Sequence, residues 1–121
     1  MARPILDENR IHPAIRDRIS ALNADIVKEV QEAAAANAVV VVGMRQNPVP
    51  KKARRILDAA GISYKYLEYG SYLAGWRRRN ALKMWTGWPT FPMVFVKGVL
   101  VGGAEDLARL QASGELKKLA G

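Results

Sequence analysis

The 121-residue chain contains no cysteine. Protein disulfides, thiolate catalysis and cysteine ligation of zinc or iron–sulfur clusters are excluded within it. Histidine is almost as scarce. His12 is the sole one, without a partner to share a metal ion, so no metal site is expected. Long apolar runs are missing as well. The longest runs from Ala38 to Val42, far short of the about 20 residues that cross a bilayer. The first residues, Met1 to Arg10, carry no apolar signal core, so a cytoplasmic protein without membrane association is expected. Acidic residues are in the minority. Nineteen Lys and Arg against 11 Asp and Glu give a formal charge of +8. Such a balance favours an anionic partner such as an acidic protein, nucleic acid or a small carboxylate, unless it is only a well-solvated surface. No recognised nucleic-acid motif frames the basic residues, and nucleic acid is not the expected partner.

What is present suits one compact domain, since half of the residues are apolar and the length allows one real core. Residues 1–12 read as an irregular arm. Pro13 can open a helix, and Ile15, Ile19, Leu22, Ile26 and Val30 recur at helical spacing. Either one helix carries this stripe, or Ser20 or Asn23 caps a second helix over residues 24–36. Val39 to Val42 is a β-branched run without polar alternation, the pattern of a strand buried on both faces. A helix is predicted from Pro48–Pro50, with Ala53, Ile56, Leu57 and Ala60 inward and Gly61 as its stop. Ile62 to Glu68 reads as a second strand, and Tyr69 to Tyr72 as a turn. Trp76 to Trp85 reads as a basic helix with Leu82 and Trp85 facing inward. Met93–Val96 and Val99–Val101 flank a Lys97-Gly98 hairpin signal. Ala104–Ala112 is an amphipathic helix, followed by a last turn at Leu116 and Leu119.

Three segments bear a more specific likeness. They are Val39 to Arg55, with its Asn47-Pro48-Val49-Pro50-Lys51-Lys52 loop, then Trp88-Pro89-Thr90-Phe91-Pro92, then Val96 to Leu107 with Gly102-Gly103-Ala104-Glu105-Asp106. At this spacing the chain resembles the glutaredoxin family, and Trp-Pro-Thr-Phe-Pro resembles its monothiol branch. The resemblance covers residues 24–120. It implies an α/β thioredoxin-like three-layer fold, with a mixed four-stranded sheet, flanking helices and an extra N-terminal helix. Residues 1–22 would be the arm and extra helix, and residues 23–121 the glutaredoxin-like domain.

In that alignment Asn47 stands at the family's nucleophilic cysteine and Pro50 at its resolving cysteine, so no catalytic residue is assigned. The resemblance implies a glutathione groove lined by Arg45, Asn47, Arg79, Thr90, Phe91, Pro92, Gly103, Ala104 and Glu105. Phe91-Pro92 would be a cis linkage baring the backbone of residue 91 to the cysteinyl part of glutathione; otherwise it is a proline at a strand start. Gly103 and Ala104 would hold the γ-glutamyl carboxylate at a helix N-terminus, where free N–H groups favour an anion. Glu105, rather than Asp106, would take the amine. Arg79 would meet the glycine carboxylate with a guanidinium. Asn47 is equally a good helix cap, and Arg77, Arg78 and Arg79 are equally surface charge. Monothiol relatives ligate a cluster with protein and glutathione thiols together; without the former, ordinary iron–sulfur ligation is not expected.

Three functions are compatible with these readings. The first is a non-catalytic module that binds glutathione or an extended peptide, a sensor or docking unit in cell redox homeostasis. The second is a glutathione-dependent redox enzyme that uses the thiol of bound glutathione, with Arg45 lowering that thiol's pKa. The third is a basic module that contacts an acidic protein or nucleic acid through Lys51, Lys52, Arg54, Arg55 and Arg77 to Arg79. Monomer and homodimer are both compatible with the sequence.

Overall fold

The computed structural model describes residues 3–45, 47–70 and 75–121. Its centre is a four-stranded sheet of β1 (Val39–Gly43), β2 (Lys65–Glu68), β3 (Met93–Val96) and β4 (Val99–Gly102), in the order β2-β1-β3-β4. β1 runs parallel to β2 and antiparallel to β3, and β4 returns antiparallel beside β3. Every residue of β1 is buried, as its unbroken valine run requires, because helices cover both faces of the sheet.

Alternation along the strands sorts the core into two layers. Val40, Val42, Met93 and Phe95 pack against Ile26 and Val30 of α2 (Ala24–Ala36) and Ala81 and Leu82 of α4 (Trp76–Thr86). Val39, Val41, Val94 and Val96 pack against Ala53 and Leu57 of α3 (Pro48–Ala59), Leu107 of α5 (Ala104–Ser113) and Leu116 of α6 (Glu115–Ala120). The mixed sheet with flanking helices is the thioredoxin-like architecture that the resemblance implies.

The N-terminal stripe follows the two-helix alternative, and two other expectations are modified. The N-terminal stripe is divided, because Asn23 takes a left-handed conformation (φ 49°) and separates α1 (Pro13–Ala21) from α2. Ile26 and Val30 are fully buried, whereas Ile15, Ile19 and Leu22 are exposed and α1 buries no residue. The second strand begins at Lys65, not Ile62. Gly61 (φ 70°) and Ile62 terminate α3, their N–H groups donating to the Asp58 and Leu57 carbonyls at 3.1 and 3.0 Å. That pair of bonds is a Schellman stop, which withdraws Ile62 from the sheet. Trp85, expected inward, is 36% exposed and stacks on Phe95 with ring centroids 5.9 Å apart. Of the turn predicted at residues 69–72, Ser71 and Tyr72 lie outside the described residues.

Leu57 is 0% exposed and Ile19 49%. Leu57→Ala is therefore expected to lose about 2–5 kcal/mol in urea unfolding, and Ile19→Ala to stay within about 0.5 kcal/mol of the parent.

Candidate functional site

Topology gathers four chain segments at one end of the sheet. β1 and β2 are parallel and in register from Val40/Lys65 to Gly43/Glu68, so they finish side by side. β3 enters at the same end, with Met93 opposite Val42, and β4 leaves there, with Gly102 opposite Val94. The loop after β1, the start of the connection after β2, the Trp88–Pro92 segment and the start of α5 thus share one edge.

The loop after β1 delivers Asn47 to the head of α3. Its Oδ1 accepts the Val49 N–H at 3.0 Å, and Pro48 follows in the first turn. The amide is thus engaged as an N-cap, satisfying one of the free donors of the helix start. Pro50 lies buried in that first turn. Gly43, which ends β1, admits this close packing: a Cβ there would lie 2.8 Å from both Pro50 Cβ and Tyr66 Oη. Arg45 is tied by its backbone, its N–H donating to the Gly70 carbonyl at 2.7 Å. Its side chain is 73% exposed, with Nε 3.9 Å from Glu68 Oε2.

Across the edge, the Phe91–Pro92 peptide bond is cis. Phe91 and Pro92 are buried, while Thr90 is exposed. Gly103 lies beside them. A Cβ on it would stand 3.5 Å from the Pro92 carbonyl and 3.8 Å from Trp88 Nε1. That indole nitrogen is buried with no hydrogen-bond partner among the described residues, a costly arrangement for a donor. Gly103 caps α5, and its own N–H donates to Asp106 Oδ2 at 3.0 Å. Asp106 is therefore committed to the cap, Ala104 is buried, and Glu105 stands exposed.

Arg79, expected as an open cation, is instead only 6% exposed. Its Nη1 donates to the Tyr69 carbonyl at 3.1 Å, so it supports the chain leaving β2. Tyr69 is fastened at three further points. Its N–H donates to the Gly43 carbonyl at 2.9 Å, its hydroxyl donates to Glu29 Oε1 of α2, and its ring packs in the core. Arg78 pairs with Asp25 of α2 at 2.8 Å. Burial, with the bond to Glu29, pushes the Tyr69 phenol well above its usual range. Tyr66 is pushed up to about 12, first by burial and then by Glu68, whose Oε1 accepts its hydroxyl at 3.2 Å. Arg54 lies over the Tyr66 ring at 4.4 Å. A hydrogen bond to Tyr64 leads the causes that raise the Arg54 guanidinium.

A family model described as Glutaredoxin matches residues 39–101. This chain belongs to the glutaredoxin family. It is 44% identical over 102 residues to a Dictyostelium discoideum "Glutaredoxin-like protein", spanning 84% of this chain and 83% of that one. It is similar in fold to oxidized glutaredoxin 2 of Chlamydomonas reinhardtii, at 32% identity, TM-score 0.69, and 80% and 92% coverage of the two chains. A buckwheat glutaredoxin–glutathione complex shares the fold at TM-score 0.73 and 23% identity, with 82% and 90% coverage.

This glutaredoxin-family chain has no cysteine anywhere. Asn47, Pro92, Gly103 and Glu105 lie at the common edge, and Arg79 lies beneath it. Residue spacing did not single out Glu29, Glu68, Tyr66, Tyr69 or the Trp88 indole. A separate cleft of about 580 Å³, lined by Ala34, Ala35, Trp85, Phe95 and Lys97, lies at the opposite, hairpin end of the sheet. Among the described residues no group of three or more His, Cys, Asp or Glu could hold a metal ion, and no helix is long and apolar enough to cross a membrane.

Two outcomes follow. Asn47→Ala removes the α3 cap and is expected to lower stability by about 1 kcal/mol in thermal unfolding. Both phenols sit above their ordinary value of 10.0 in the fold. Their contribution is therefore complete below the unfolded value and lost as pH climbs through the folded one. Alkaline unfolding curves of Tyr66→Phe should show a shallower fall between pH 10 and about 12 than the parent.

Proposed function

We propose that this chain is a non-catalytic glutaredoxin-like module that holds glutathione, or an extended peptide of similar backbone, along residues 90–92. The observation that carries the reading is the meeting of the Pro92 carbonyl, the unpartnered Trp88 indole and Gly103 at the head of α5, in a chain without a thiol. A ligand strand would pair with backbone on the exposed side of Thr90 and the buried Phe91. A terminal carboxylate suits the start of α5, where helix N–H groups and small residues favour an anion. Glu105 is exposed and uncommitted to the cap, so it suits the ligand's amine; Asp106 is occupied by Gly103. Arg45 offers the accessible guanidinium of the groove. Arg79 acts from below, fixing the Tyr69 carbonyl and with it the wall at Tyr69 and Gly70.

The buckwheat neighbour is a glutathione complex, and this fold can therefore present such a groove. What changes here is the chemistry at the head of α3. Asn47 is uncharged and donates or accepts hydrogen bonds, but its amide cannot attack a disulfide. Binding is thus separated from thiol exchange.

Titration calorimetry and amide chemical shifts with reduced and oxidised glutathione test the reading. Saturable binding is expected, with shifts at residues 90–92 and 103–105. No heat and no shifts at millimolar ligand overturn it. The parent is expected to leave a glutathione mixed disulfide unreduced; turnover lost in Asn47→Ala would instead favour the redox enzyme. Asn47→Cys restores a thiol at a helix N-terminus beside cations, where thiolates are stabilised. Oxidised glutathione should add one glutathionyl group to it by mass spectrometry.

A further inference from the structure

Glu68 is held on one side and open on the other. Its Oε1 accepts the Tyr66 hydroxyl at 3.2 Å, and Tyr66 is itself fixed between Gly43 and the Arg54 guanidinium. Its Oε2 faces Arg45 Nε at 3.9 Å. That separation is well beyond the about 2.7–2.9 Å of a charge-assisted hydrogen bond. Both side chains are substantially exposed, at 73% and 41%, so water screens the attraction and the pair is easily exchanged. The backbone of Arg45 is anchored, its N–H bonded to Gly70, so its guanidinium swings about a fixed root. The carboxylate cannot retreat while Tyr66 holds it.

We propose that Glu68 is a built-in competitor for Arg45, an affinity-limiting residue that a ligand carboxylate must displace to gain the guanidinium. This rests on the glutathione-binding reading above. Arg45 exchanges one carboxylate for another, so the gain from a charged ligand is a difference between two similar contacts. A ligand with an esterified carboxylate gains nothing there, and Glu68 keeps its partner. The device therefore narrows the advantage of ligands whose free carboxylate reaches the loop after β1, and it sets an upper limit on their affinity. Tyr66 is the positioning residue: without its hydroxyl, Glu68 is free to turn fully onto Arg45.

A double-mutant cycle read by calorimetry with reduced glutathione tests this on the full chain, with thermal unfolding of each variant as the folding control. Glu68→Gln is expected to tighten binding about two- to five-fold, the range of an exposed ion pair, and Tyr66→Phe to weaken it. In an Arg45→Ala background Glu68→Gln is expected to change nothing. Equal tightening in both backgrounds would reveal only a diffuse repulsion by the acid and overturn the competitor. Unchanged or weaker binding in Glu68→Gln overturns it too. Binding by neither the parent nor Glu68→Gln removes the glutathione reading itself, whereas binding with a flat cycle removes only the role given to Glu68.

Discussion

Val39 to Val42 lose almost all contact with water on both faces of the sheet at once. The strand is paired on both edges, in parallel with β2 and antiparallel with β3, so its register is fixed by two sets of backbone bonds. A strand apolar on both faces could otherwise slip by one residue with little penalty from patterning. The Asn47 and Tyr69 side of the candidate site is attached to the end of this strand. Gly43 accepts the Tyr69 N–H and leaves room for Pro50 and the Tyr66 hydroxyl. A side chain there would have to push α3 away from the sheet, and Asn47 would move with it.

The parts of the fold that were legible in the sequence are those with local causes. A valine run, two prolines before a basic segment, Gly61 after Ala60 and a Lys-Gly hairpin each act within a few residues. They mark β1, α3 and the β3–β4 turn without knowledge of their neighbours. The misplaced features have distant causes or finer local ones. Ile62 is apolar enough for a strand, but a helix stop claims its N–H first. Trp85 lies on the apolar side of α4, yet it sits near the helix end, where Phe95 covers only one face of the indole. The exposed stripe of α1 has the spacing of a core helix, and periodicity alone cannot tell which apolar face finds a partner.

The same division runs through the site. Asn47 and Pro92 were visible because each does something that its residue type does well, capping a helix and entering a strand after a cis bond; Gly103 was visible as the small residue before a helix start. Arg79 was visible as a cation but not as a buried one. Its burial depends on Tyr69, which in turn depends on Glu29, 40 residues earlier, and no window of the sequence joins the three. Together with the Arg78–Asp25 pair they bind α2, α4 and the chain leaving β2 into one unit. One wall of the proposed groove is therefore supported by a polar network whose members are far apart in the chain.

Asn47 does half of what a cysteine could do at the head of α3. The structural half, closure of a helix start, is kept by an amide that accepts the Val49 N–H. The chemical half needs a thiolate, and a thiolate needs nearby positive charge. Here that charge is partly offset, because Glu68 faces Arg45 from the end of β2. In a thiol enzyme such an acid would raise the pKa of the nucleophile and lower the thiolate fraction. In a chain without a thiol, the acid has no thiolate to oppose, and under the proposed function it acts on what Arg45 can bind. Without cysteine in the chain, the electrostatic argument against a carboxylate beside Arg45 falls away. The absent thiol and the acid beside Arg45 are consistent with each other: without a thiolate to stabilise, the cation and its acid are available to set the affinity of the proposed ligand.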